Sequence, residues 1–123
     1  MALAAPVARA ILNLAALTVS AITGVLGGDN VKRTEFVKAF LENARREYPD
    51  YNVVLIHTRH TVSGEYVHQH VELPISLGRT IGYEVYFSLR GKPFTLTKQG
   101  DGGWINWGYD GWFTRSGDTI TAT

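Results

Sequence analysis

The stretch that decides the fold is residues 80–89, Thr-Ile-Gly-Tyr-Glu-Val-Tyr-Phe-Ser-Leu, in which large apolar side chains alternate with others. Successive side chains of an extended strand point to opposite sides, so this period of two predicts a strand whose two faces differ. One face carries Ile81, Tyr83, Val85, Phe87 and Leu89, and the other carries Gly82, Glu84, Tyr86 and Ser88. The residues Arg90-Gly91-Lys92 that follow predict a hairpin turn.

Short segments of the same kind occupy the chain on both sides of residues 80–89. The predicted strands are residues 52–58, 66–73, 80–89, 94–97, 104–107, 112–115 and 119–123. Their spacing of about eight to twelve residues, with turns between them, is typical of an antiparallel sandwich or small barrel. The continuous apolar run Val53-Val54-Leu55-Ile56 indicates a strand near the centre of a sheet. We expect Val62–Glu65 to turn the chain, so that strands 52–58 and 66–73 pair.

Two helical segments are predicted before the strands. Residues 31–48 have apolar side chains at helical spacing, with charged side chains on the opposite, solvent-facing side, and Pro49 ends the helix. The fold class is therefore α+β, with one or two N-terminal helices followed by a compact antiparallel β-sandwich or small barrel of about six to seven short strands. We divide the chain into an apolar N-terminal helix, residues 1–28, and a single globular domain, residues 29–123, whose β module spans 51–123.

Composition excludes several classes of protein. The 123 residues include no cysteine, which rules out disulfides, a thiol nucleophile and thiolate metal ligands. A net charge of +1 lacks the basic excess of a general nucleic-acid binder, so no nucleic-acid partner is expected. The serines lie in no nucleophile-elbow pattern, and the sequence favours a non-enzymatic protein.

Charge is distributed unevenly along the chain. Of its 23 charged residues, only Arg9 lies in the first 28 positions, and residues 10–28 carry no charge at all. On a helix, the weakly polar stripe Arg9, Asn13, Ala16, Ser20, Thr23 and Gly27 would face one way and apolar residues would cover the rest.

Three alternatives fit this apolar segment. It is a secretory signal that would be cut near Val19-Ser20-Ala21, a helix that inserts into a membrane, or a helix buried by its own domain or by other copies. The partners expected for residues 7–26 are therefore a lipid membrane or other copies of the chain. A membrane-associated or secreted location is favoured.

All four histidines lie between residues 57 and 70. On a strand, His68, His70 and Glu72 share one face, and pairing of neighbouring strands would bring His57 or His60 near them. Imidazole and carboxylate are suitable ligands for a divalent metal such as Zn, Fe or Mn. The alternatives are ordinary half-exposed histidines or a role in proton chemistry. No cofactor is expected otherwise.

All three tryptophans lie within nine residues, 104–112, in a glycine-rich stretch. Their rings can stack on a sugar, while nearby amide and carboxylate groups bind its hydroxyls, or they can lie at a bilayer interface. The candidate ligand- or membrane-binding residues are Trp104, Asn106, Trp107, Tyr109, Asp110 and Trp112. The alternative for any of these aromatic residues is packing in the core.

Three functions follow from these features. The first is a membrane-active or self-assembling protein, whose layout is similar to that of small pore-forming cytolysins such as actinoporins and aegerolysins. The second is a lectin-like module that binds carbohydrate through the tryptophan segment. The third is a small metal-binding protein or enzyme centred on the histidines.

Overall fold

The computed structural model describes residues 4–24 and 26–122, which form two helices followed by eight strands. The helices are α1 (Ala4–Ile22) and α2 (Asp29–Glu47). The strands are β1 (Tyr51–Ile56), β2 (His60–Gly64), β3 (Val67–Pro74), β4 (Thr80–Leu89), β5 (Phe94–Lys98), β6 (Trp107–Asp110), β7 (Phe113–Ser116) and β8 (Thr119–Ala122). A short 3₁₀ turn, Ser76–Gly78, connects β3 to β4.

The strands form two four-stranded antiparallel sheets. The first sheet has the order β3-β4-β1-β6, and the second has the order β2-β5-β8-β7. The predicted α+β class, with N-terminal helices and then an antiparallel β module, is confirmed. Residues 80–89 form β4, the longest strand, and they pair on one side with β1 and on the other with β3.

Two local predictions about strands were wrong. The expected turn Val62–Glu65 lies largely within β2, which pairs with β5 at the edge of the second sheet and brings the strand count to eight within the described residues. The expected strand 104–107 is mostly a turn, because the N–H groups of Asn106 and Trp107 both donate to the carbonyl of Gly103, at 3.0 and 2.9 Å. Strand β6 therefore begins only at Trp107.

The expected pairing of residues 52–58 with 66–73 was also wrong. β4 lies between β1 and β3, since its ten residues offer hydrogen bonds along both edges. The chain leaves β1 for the second sheet before it returns to the first as β3. This order places β3 and β6 at opposite edges of the first sheet.

The first sheet is covered on both faces, which explains the continuous apolar run in β1. Val53 and Leu55 pack in a core beneath the helices, and Val54 and Ile56 pack in a second core against the second sheet. Alternate side chains of a strand point to opposite faces, so a strand buried on both sides needs apolar residues at every position. The molecule is therefore layered as helices, first sheet and second sheet.

Helix α1 packs on α2 and on β3. Its buried side chains are Val7, Ala10, Ile11, Leu14, Ala15, Thr18 and Ile22, and they belong to one face. Thr18 donates to the carbonyl of Leu14 at 2.7 Å and accepts from Asn43 of α2 at 3.1 Å, so the one buried polar group of this face is satisfied. The predicted polar stripe from Arg9 to Thr23 is exposed.

Of the three alternatives for residues 10–28, the structure therefore agrees with burial of one face by the chain's own domain. Within residues 4–24 and 26–122, no helix combines the length and apolar character that crossing a membrane requires. Leu12 and Leu17 remain exposed on the outer side of α1. Contact of residues 7–26 with a membrane or with other copies of the chain stays a prediction.

Candidate functional site

The tryptophan segment begins with a tight turn that projects one ring into solvent. Gly103 has a φ of +87°, a left-handed conformation that glycine adopts without steric cost. Its carbonyl accepts both hydrogen bonds of the turn, and the Asn106 side chain donates to the Gly102 carbonyl at 3.0 Å. The side chain of Trp104 lies on the outside of this turn, and the residue is 47% exposed.

Polar groups from three distant elements hold this turn in place. Arg33 of α2 donates to the Ile105 carbonyl at 2.8 Å and to Asn106 Oδ1 at 3.3 Å. The Tyr83 hydroxyl donates to the same carbonyl at 2.7 Å, and the Asn106 carbonyl accepts from the His57 N–H at 2.7 Å. Burial raises the pKa of Tyr83, so this hydroxyl stays protonated as a donor. Trp104 therefore stands on a rigid support.

Helix α2 lies close to β6 because Gly108 has no side chain. A Cβ atom at Gly108 would overlap Cγ1 of Val37, and it would lie 3.1 Å from both Leu41 Cδ1 and Trp104 Cζ3. Val37 is fully buried and cannot move aside. The close approach of α2 sets one wall of the space beside Trp104.

Two clefts meet at Trp104 and Tyr109, which line both of them. The first cleft, of about 460 Å³, is lined by Lys98, Gly102, Gly103, Trp104, Trp107, Gly108, Tyr109 and Arg115. The second cleft, of about 540 Å³, is lined by Lys38, Leu41, Glu42, Arg45, Arg46, Trp104, Tyr109 and Asp110. Both volumes fall within the range typical of small-ligand sites. We call the pair the Trp104 cleft.

Positive charge dominates the Trp104 cleft. Its lining holds five basic and two acidic side chains. Arg45 is paired with Asp110 at 2.9 Å, and Lys98 with Asp118 at 3.0 Å. Among the described residues, no carboxylate lies within ion-pair distance of Lys38, Arg46 or Arg115. These three cations can therefore bind an incoming anion.

A cation lies over each tryptophan ring, at a distance that permits cation–π attraction. Lys38 Nζ is 5.2 Å from the ring centre of Trp104. The buried Trp107 has Lys98 at 5.5 Å and Arg115 at 5.1 Å, and Trp112 has Arg45 at 4.9 Å and Arg90 at 4.1 Å. Trp107 and Trp112 thus each have two basic groups beside the ring, whereas Trp104 has one lysine.

The structure divides the six binding residues predicted from sequence. Four of them, Trp104, Trp107, Tyr109 and Asp110, line the Trp104 cleft. Asn106 instead ties the turn to α2 and β1. Trp112 lies outside both linings, and its backbone N–H donates to Asn52 Oδ1 at 2.7 Å. Sequence reasoning missed the five cations, which come from α2, β5 and β7. The charged face of α2 gave no sign that a tryptophan would pack beside it.

The predicted metal ligands lie at the opposite edge of the first sheet. His68, His70 and Glu72 of β3 share a face, as predicted, and Glu84 of β4 lies among them. Glu84 binds His68 Nε2 and His70 Nδ1, each at 2.6 Å, and His70 Nε2 is bonded to Glu72. Thr80 donates to Glu72 at 2.6 Å. We call this chain of side chains the histidine–glutamate network.

The network shifts the protonation of its members. Hydrogen bonds to Glu84 and then Glu72 raise the pKa of His70. The hydrogen bonds from Thr80 and His70 lower the pKa of Glu72. Partial burial raises the pKa of Glu84, but its hydrogen bonds from His70 and His68 outweigh this and lower it overall. The network therefore favours the ionised form of both carboxylates and the protonated form of the His70 imidazole.

The described residues contain no group of three or more histidine and acidic side chains arranged to hold a metal ion. The carboxylate oxygens are directed at imidazole nitrogens, which uses the lone pairs that a metal would need. His57, the fourth predicted ligand, instead has its Nδ1 2.7 Å from the Gly82 carbonyl. The assignment of these four residues to a metal stays a prediction without a matching geometry.

Comparisons with known proteins give little guidance. No family model matches the chain, and no solved structure matches it. Stress response protein YvgO from Bacillus subtilis is similar to a short part of it, with 62% identity over 26 residues. That match covers 21% of this chain and only 16% of YvgO, and therefore does not define a family.

Proposed function

We propose that this domain is a non-enzymatic carbohydrate-binding module that uses the Trp104 cleft. The observation that carries the proposal is the position of Trp104, which is 47% exposed where two clefts meet. A flat indole ring stacks on the apolar face of a sugar, and the polar groups around it bind hydroxyls. Tyr109 and Asp110 supply such groups beside the ring.

The support beneath Trp104 also favours a binding role. Arg33, Tyr83 and His57 hold the turn through four hydrogen bonds of 2.7 to 3.3 Å, so the ring needs little reorganisation when a ligand binds. Preorganisation of this kind lowers the entropic cost of association.

A glycan array that contains neutral and acidic oligosaccharides tests the proposal. We expect the wild-type domain to bind a defined subset of the array and Trp104→Ala to lose about tenfold or more in affinity for it. Tyr66→Ala is the matched control, since Tyr66 is 41% exposed and lies outside the Trp104 cleft. Both variants are first compared by thermal unfolding. The proposal is wrong if the wild type binds no glycan or if Trp104→Ala binds as well as the wild type.

A further inference from the structure

The charge of the Trp104 cleft identifies the class of sugar that fits it. Resting on the carbohydrate-binding function proposed above, we propose that the ligand is an acidic glycan, whose anionic groups bind the free cations on either side of Trp104. The carboxylate of a uronic acid and the sulfate or phosphate ester of a substituted sugar share this chemistry. A neutral glycan leaves these cations unpaired.

The lining of the Trp104 cleft carries more positive charge than the molecule as a whole. The whole chain carries a net charge of only +1, whereas the cleft lining has five basic side chains against Glu42 and Asp110. Asp110 is already bound to Arg45 at 2.9 Å. The local excess of positive charge therefore exceeds that of the molecule as a whole, as expected where an anion binds.

The free cations lie on both sides of the stacking ring. Lys38 and Arg46 line the second cleft, and Arg115 lines the first, with Trp104 between them. Arg115 is positioned by hydrogen bonds to the Gly117 carbonyl at 2.9 Å and to the Tyr109 hydroxyl at 3.4 Å. A sugar stacked on Trp104 therefore has cations of the lining on both sides, and an oligosaccharide with an anionic group on successive sugars can contact both sets.

The same geometry disfavours other anionic polymers. A single-stranded nucleic acid stacks successive bases on several exposed rings. Here Trp107 is buried, and Trp112 already has two guanidinium groups within 4.9 Å of its ring centre.

Isothermal titration with tetragalacturonate and with its fully methyl-esterified form provides the test. The two probes differ only in whether each sugar carries a negative charge. We expect the acid to bind about tenfold or more tightly than the ester at low salt, and we expect this ratio to fall as salt rises. A sulfated heparin tetrasaccharide is titrated in parallel to compare carboxylate with sulfate.

Paired variants connect the preference to the cleft. Lys38→Gln/Arg46→Gln removes two free cations, and we expect it to lower the affinity for tetragalacturonate at least about fivefold more than it lowers the affinity for the ester. Arg9→Gln/Arg59→Gln removes two exposed cations that do not line the cleft, and it should leave both affinities unchanged. This control separates a local effect from the effect of net charge.

The outcomes distinguish the inference from the function on which it rests. If the acid, the ester and the heparin fragment bind equally, and Trp104→Ala abolishes all binding, then the domain binds carbohydrate and the acidic preference is wrong. If none of them binds and the glycan array is also blank, the proposed function itself is wrong. Tighter binding to an oligothymidylate or to phosphatidylglycerol vesicles than to every acidic glycan also overturns the inference.

Discussion

The two edges of the first sheet carry opposite kinds of polar chemistry. At the β3 edge, the histidine–glutamate network joins imidazole and carboxylate groups, so that each charge has a partner within the network. At the β6 edge, the cations of the Trp104 cleft outnumber the acids, and three of them have no carboxylate partner among the described residues. A cluster of reactive residue types is therefore a poor guide to function unless its donors and acceptors remain unpaired.

The largest effect on stability is expected from a side chain at Gly108, where α2 approaches β6 and forms one wall of the cleft. Gly108→Ala places a Cβ against Val37 and should lower the free energy of unfolding by about 1–3 kcal/mol, since neither α2 nor β6 can move without disturbing the core. Urea denaturation measures this change. Gly24→Ala is the control, because a Cβ there meets nothing within 4 Å, and it should change stability by no more than about 0.5 kcal/mol.

If Gly108→Ala lowers the free energy of unfolding by no more than Gly24→Ala does, this description of the cleft is wrong. It would mean that α2 and β6 can separate at little cost. The wall of the Trp104 cleft that α2 forms would then not be fixed in position.

A smaller effect is expected at the β3 edge, and it should depend on pH. The pKa of His70 is raised from 6.5, so its contribution to stability is complete below about 6.5 and is lost as pH rises through the folded-state value. The pKa values of Glu72 and Glu84 are lowered from 4.5, so their contribution is present above about 4.5 and is lost as pH falls. The network should therefore stabilise the folded protein most between about pH 4.5 and 6.5.

Unfolding of the wild type and of Glu84→Gln across pH 4 to 8 checks this sign. We expect the free energies of unfolding of the two proteins to differ by no more than about 1 kcal/mol, because these side chains are only partly buried and solvent screens their charges. The difference should be greatest in the window between the two ordinary pKa values and smaller on both sides. A difference that is constant with pH, or greatest at pH 8, would contradict the network as described.

Much of the fold was predictable because it depends on local periodicity. The alternation in residues 80–89 predicted β4, and the apolar run in β1 predicted a strand near the centre of a sheet. The order of the strands was not predictable in this way, since pairing of β1 with β4 and of β2 with β5 depends on contacts distant in sequence. The short, polar β2 lies at an edge, where little apolar pattern is needed.

The site was predictable only in part, for the same reason. The concentration of tryptophan in residues 104–112 pointed to Trp104 and Tyr109, and both line the Trp104 cleft. The five basic side chains that line the cleft were not predictable from the sequence. Lys38 and Arg46 follow the normal pattern of a solvated helix face, and only the close packing permitted by Gly108 brings that face beside Trp104.

The proposal that the Trp104 cleft at the β6 edge binds an acidic glycan is tested most directly by NMR titration of the labelled protein with tetragalacturonate. The three indole N–H signals and the histidine ring signals report on the two edges in one experiment. We predict a saturable shift of the Trp104 indole signal, with the His68 and His70 signals unchanged at constant pH. Shifts confined to the histidines, or no saturable shift at Trp104, would contradict the account.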